Sequence, residues 1–164
     1  MDVRREALAT IGALLCLGAL VGCSASSSPG DSGREPATVR KSVVDVVERS
    51  ATAADGSWKV YSGPSVEGCG DGVEDKARYV YIVERSGSTG DDPAEDVQTM
   101  AKFWEGEGIA PTAYESGGED PLLGMRGRGG PITTIAFNAY PERYSITAVS
   151  ACADGTVSDL LEDE

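Results

Sequence analysis

The 164-residue sequence contains no histidine. That absence removes the Ser-His-Asp and Cys-His arrangements of nucleophilic catalysis and removes imidazole as a metal ligand. Basic residues are few: 14 Lys and Arg stand against 27 Asp and Glu, a formal net charge of −13. Nucleic acid is excluded as a partner, because its phosphates require Lys and Arg, and docking of a folded domain on anionic lipid heads is disfavoured. The acidity reads as solubility and as spacing from an anionic surface. Aromatic residues make up only 6% of the chain. Trp58 and Trp104 fall at patterned core positions, whereas Tyr114, Tyr140 and Tyr144 are candidates for a rim or groove. Long hydrophobic runs are also rare. The one from Ala7 to Val21 is broken only by Thr10, Gly12 and Gly18. It falls short of the about 20 apolar residues that span a bilayer, but it suits the core of a signal peptide behind Arg4 and Arg5.

Cysteine is scarce as well, with four in the chain, and each has a place. Cys16 lies in the apolar run. Leu20-Val21-Gly22-Cys23 resembles the sequence that a bacterial lipoprotein peptidase reads, with the Cys23 thiolate as the nucleophile that takes the diacylglyceryl group. The expectation is a lipoprotein signal peptide over residues 1–22, lipidation at Cys23, and attachment to the extracytoplasmic face of the cell membrane. Two or more acyl chains make such attachment stable, at about 0.8 kcal/mol per buried methylene. Loss of residues 1–22 removes two basic and two acidic residues and leaves the charge at −13. Cys69 and Cys152 remain as an even pair outside the cytoplasm, which predicts a disulfide. It would close a loop of about 80 residues.

Residues 23–35 are rich in Ser, Gly and Pro and read as a flexible tether. Pro36 then opens a helix with Val39, Val43, Val46 and Val47 on one face, ended by Ala54-Asp55-Gly56. Trp58 to Tyr61 reads as a short strand stopped by Gly63-Pro64. Arg78 to Glu84 is apolar on both faces, which suggests a central strand. Asp92, Pro93 and Glu95 form a helix start, and Val97, Met100, Ala101 and Trp104 give its buried stripe before Gly106 and Gly108 stop it. Ile109 to Tyr114 returns as a strand, residues 115–130 read as a glycine-rich loop, and 132–139 with 144–152 form a hairpin. The order predicts an α+β fold: a two-layer sandwich with an antiparallel sheet of about 4–5 strands and two helices on one face. The domain is expected over 36–155, followed by an acidic, frayed tail over 156–164.

Chemistry-bearing clusters are few. The carboxylates of Asp71/Glu74/Asp75, Asp91/Asp92 and Glu162/Asp163/Glu164 read as solvated surface, and residues 71–75 lack the ligand spacing of an EF-hand. Weak surface binding of a cation is the alternative there; no metal site or cofactor is predicted. Met125-Arg126-Gly127-Arg128-Gly129-Gly130 is the basic, glycine-rich spot. Its backbone amides with the guanidinium groups of Arg126 and Arg128 suit an anion. It lacks the lysine and hydroxyl of a nucleotide-binding P-loop, and a mobile hairpin-entry loop is the plainer reading.

Gly56-Ser57-Trp58, Cys69, Trp104 with Gly108, and Ile146 to Cys152, together with the Cys23 signal, resemble the LppA-like group of small actinobacterial lipoproteins. The resemblance covers roughly Val39 to Cys152 and implies an envelope location and the α+β sandwich. It carries no catalytic residue, and the short first helix and the 117–130 segment depart from that pattern. The functional expectation is a non-catalytic, membrane-anchored module that binds an envelope protein or a cell-wall component. The alternative is a carrier or sensor of a lipid, glycan or anion, with a pocket between sheet and helices. A ligand-sized apolar pocket favours the carrier; a filled interior with an exposed flat surface favours the binding module.

Overall fold

The computed structural model describes residues 34–70, 75–87 and 91–162. The predicted signal segment, Cys23, the predicted tether up to residue 33, residues 71–74 with Asp71 and Glu74, residues 88–90 and the terminal Asp163 and Glu164 lie outside the described residues.

Helix α1 (Pro36–Ala53) begins where proline predicts it. The Glu35 carboxylate accepts from the Thr38 amide at 3.0 Å, and Val39, Val43, Val46 and Val47 are buried as their spacing requires. Valine is a poor helix former, so this packing supplies what intrinsic propensity does not. Asp55 and Gly56, at φ 50° and 87°, turn the chain out.

Strands β1 (Lys59–Gly68) and β2 (Lys76–Ser86) pair antiparallel. β1 does not stop at Gly63-Pro64 as the sequence suggests. It lies at the edge of the sheet, where the missing N–H of Pro64 costs no ladder bond, and the register shifts around Ser62 absorb the irregularity. Gly63 is required there: its φ is 87° and a Cβ would lie 2.3 Å from the Val80 carbonyl oxygen.

In helix α2 (Pro93–Gly106) the Asp92 carboxylate accepts from the amides of Ala94 and Glu95 at 3.0 and 3.1 Å. Met100 and Trp104 are fully buried. The Trp104 indole N–H donates to Ser50 Oγ at 3.0 Å, and that hydroxyl donates to the Val46 carbonyl at 2.7 Å. Each buried polar group thus has a partner where the two helices meet.

Strands β3 (Ile109–Ser116), β4 (Leu122–Gly129), β5 (Ile132–Tyr140) and β6 (Arg143–Ser150) follow, then the two-residue β7 (Ala153–Asp154) and α3 (Val157–Glu162). The sheet runs β1-β2-β6-β5-β4-β3, with β7 also on β2, and the pairings are antiparallel. The class is α+β with an antiparallel sheet, but among the described residues there are seven strands and three helices, more than the 4–5 and two expected. Most of the difference is β4, placed where a glycine-rich loop is predicted, and the segment after Cys152. There Asp159 and Thr156 cap α3 reciprocally, at 3.0 Å from the Thr156 amide and 3.2 Å from the Asp159 amide. Hydrogen bonds from the Thr156 amide and hydroxyl hold the Asp159 carboxyl below its ordinary value, and Leu160 is buried.

Along β2 the alternating residues Ala77, Tyr79, Tyr81, Val83 and Arg85 are buried, as are Tyr144, Ile146 and Ala148 on β6. These join α1, α2 and Leu160 of α3 in one core, so the helices occupy one face of the sheet. Cys69 and Cys152 are disulfide-bonded, with Cα atoms 5.9 Å apart and a sequence separation of 83. β6 ends at Ser150, and after Cys152 the chain rejoins β2 as β7, with Ala77 opposite Ala153. The Asp154 amide donates to the Arg34 carbonyl at 3.0 Å. The bridge therefore sits beside the point where the chain enters the domain.

Candidate functional site

Two charged groupings stand out, one on each face of the sheet. On the helix face Arg85 is buried at the end of β2, with an ion pair of 3.1 Å to Asp91 and a longer one of 3.7 Å to Asp96. Its guanidinium lies 4.0 Å from the centre of the Tyr144 ring and 5.7 Å from that of Trp58. The Tyr144 hydroxyl donates to Asp96 at 2.7 Å. Burial, followed by the Asp96 hydrogen bond, holds the Tyr144 phenol well above its ordinary range. Trp58 donates its indole N–H to the Asp55 carbonyl at 2.8 Å. Gly56 leaves room for the arginine, since a Cβ there would lie 2.9 Å from Arg85 Cδ. Every charge in this group faces a partner inside the domain, so it holds β2, β6 and the start of α2 together rather than offering a ligand site. Tyr144, a rim candidate from sequence, is a core residue.

The opposite face carries no helix among the described residues. The register sets its rows of side chains. One runs Lys59–Glu84–Ser145–Asn138–Gly124–Tyr114 from edge to edge. The next runs Ile82–Thr147–Ala136–Arg126–Thr112. Over β6 and β5 these rows carry small residues, Ser145, Asn138, Thr147 and Ala136.

At that end Tyr114 lies across the strand beside it. A Cβ on Gly124 would meet the Tyr114 ring at 2.5 Å, so only glycine lets the ring lie flat there. The Tyr114 hydroxyl reaches Asn138 on β5, whose amide donates to Ser145 Oγ at 2.9 Å. Burial, then a hydrogen bond involving Tyr140, raises the Tyr114 phenol above its ordinary value. Arg126 stacks on this ring at 4.7 Å, leaving the guanidinium edge exposed. Arg128 projects from the same face two residues on. With Ala110 and Thr112 these side chains line a shallow depression of about 450 Å³. Neither arginine makes an ion pair with the described residues, whereas Arg78 and Arg143, elsewhere on this face, pair with Glu67 and Glu84 at 3.3 and 3.5 Å.

The structure thus keeps Arg126 and Arg128 together but changes their setting. They lie on a strand, not in a loop, and the backbone of β4 is taken up by ladders to β3 and β5. An anion would meet guanidinium side chains, not a cradle of backbone amides. Tyr114 and Tyr140 fall on this face as a rim reading suggests; Asn138 and Thr112 carry no sequence signal of their own. Among the described residues no group of three or more His, Cys, Asp or Glu is placed to hold a metal ion, and no helix is long and apolar enough to cross a membrane. A second depression, about 540 Å³, lies at the β1 edge beside exposed Val60 and Tyr61. Of its cations, Arg85 and Arg143 already have carboxylate partners, and Lys59 lies opposite Glu84 in the register.

No family model matches the chain, and no curated protein matches it. Among solved structures it is similar to the crystal structure of a DUF4853 family protein from Actinomyces odontolyticus. The TM-score is 0.54 at 18% identity, over 77% of this chain and 71% of that one. At that identity the likeness concerns the fold alone.

Proposed function

We propose that this chain is a non-catalytic binding module of the cell envelope, lipidated at Cys23 and held by it at the extracytoplasmic face of the membrane. The observation that carries the binding reading is the uncovered sheet face, which ends in two guanidinium groups without carboxylate partners among the described residues. A Cys69–Cys152 disulfide supports a location outside the reducing cytoplasm. The resemblance of Gly56-Ser57-Trp58, Cys69, Trp104 with Gly108, and Ile146 to Cys152 to the LppA-like lipoproteins supports the envelope reading. The alternative reading, a carrier with a pocket between sheet and helices, is less favoured. That space is filled by wholly buried Val43, Val46, Val47, Trp104, Phe137 and Ile146.

Site-specific photo-cross-linking tests the reading. A benzophenone side chain placed at Thr147, mid-sheet on the uncovered face, is expected to capture a defined envelope component. The same group at Lys102, on the solvent side of α2, is expected to capture none. Equal capture from both positions, or none from Thr147 under several growth conditions, argues against the module.

A further inference from the structure

We propose that Tyr114, Arg126 and Arg128 form a phosphate-binding site, taking a phosphate monoester or diester on the uncovered face. The inference rests on the binding-module reading and names the chemistry that its surface selects.

The charge distribution carries the argument. A chain with nearly twice as many acidic as basic residues places two arginines on adjacent same-face positions of β4 and surrounds them with Ala110, Thr112 and Ala136. The uncovered-face positions of β3, β4 and β5 over this corner contain no carboxylate: they are Ala110, Thr112 and Tyr114, Gly124, Arg126 and Arg128, Thr134, Ala136 and Asn138. Among the described residues neither guanidinium is held by an ion pair, and a ligand anion at this corner of the face meets no strand carboxylate.

Geometry selects phosphate over carboxylate. Residues two apart on a strand have Cα atoms roughly 7 Å apart, so two planar forks can converge on one anion from neighbouring positions. A carboxylate presents its two oxygens in one plane, and one fork takes up the outer edge of both. The terminal oxygens of a phosphate, two on a diester and three on a monoester, are set tetrahedrally, so a second fork can approach from outside that plane. Stacking on Tyr114 fixes the plane of Arg126 and so limits the side-chain entropy lost on binding. The Thr112 hydroxyl, directly opposite Arg126 in the register, supplies a further donor.

The phosphate can belong to a lipid headgroup or to a soluble ester, and calorimetry on the full chain in non-ionic micelles at low salt separates the two. One arm titrates glycerophosphoglycerol, with acetate as the carboxylate control. The other compares micelles doped with phosphatidylglycerol and with phosphatidylcholine. Saturable binding of glycerophosphoglycerol is expected, weaker with acetate and reduced at least ~10-fold in Arg126→Gln/Arg128→Gln. It is expected to persist in Lys41→Gln/Lys102→Gln, which removes the same number of charges elsewhere. Binding to the phosphatidylglycerol micelles alone, lost in the arginine variant, keeps the site and assigns the phosphate to a lipid. Binding to neither phosphate probe overturns the proposal, as does binding that the arginine variant retains. If either occurs while Thr147 still cross-links a component, the phosphate assignment falls and the binding module stands.

Discussion

The Cys69→Ser/Cys152→Ser variant is expected to lose about 4.5 kcal/mol of folding stability, the chain-entropy value for releasing a loop of 83 residues. For a domain of this size that corresponds to a melting temperature lower by roughly 10–20 °C. The effect arises mainly in the unfolded chain, which gains freedom once the loop is opened, with a smaller part from hydroxyl burial at Cys69. The position of the bridge adds a local consequence. Cys152 lies between β6 and β7, and the Asp154 amide on β7 bonds to the Arg34 carbonyl. Opening the bridge should therefore raise amide exchange first at β7 and at the start of α1. Urea denaturation checks the global value, and a loss under about 1 kcal/mol would show that the native contacts alone hold this end of the sheet.

Arg85→Ala is expected to cost about 3 kcal/mol. Removing one member of a buried ion pair leaves the others uncompensated, typically at 3–5 kcal/mol. The lower end applies because the Asp91 and Asp96 side chains retain 15% and 26% exposure, so water screens part of the repulsion left behind. The loss also removes the cation stacked on Tyr144 and the contact beneath Trp58. The companion variant Arg85→Met/Asp96→Asn removes two of the three charges, leaving Asp91, and keeps much of the volume. It should recover part of the deficit, because the penalty lies in the unpaired carboxylates and not in lost area. Matched denaturant melts check both. If Arg85→Ala costs less than about 1 kcal/mol, or the double variant is the less stable of the two, the group is surface decoration.

The sequence made α1, α2, β2 and the β5–β6 hairpin legible because each carries a local signal: valine spacing, a capped start, or alternation bounded by turns. β4 was obscured by its own glycines. Gly124 makes room for the Tyr114 ring, and Gly127 lies under Ile109, Ile135 and Trp104, where a Cβ would meet side chains at 2.5–3.0 Å. These demands come from residues on other elements, and without them the segment reads as a loop. A weaker signal was present. Leu123, Met125 and Gly127 alternate with Gly124, Arg126 and Arg128, the period of a strand with one polar face. The second half of β1 was hidden by Pro64, tolerated because that strand is an edge, and edge position follows from topology. The same limit applies to the site. Arg126 and Arg128 were visible as a basic spot, but pairing them with Tyr114 and clearing carboxylates from around them required the β3–β4–β5 register. Cys23 and the signal segment lie outside the described residues, so the anchor is part of the proposal.

On the proposed function, the uncovered sheet face is the working surface of an anchored module. Hydroxyl-radical footprinting of the full chain, in its own membranes and after detergent extraction, tests it most directly. Tyr114, Val80, Ile82 and Val149 are expected to be oxidised more slowly in the membrane than after extraction, while exposed Leu161 on α3 is oxidised alike in both. Protection confined to the helix side, or identical patterns throughout, would contradict it.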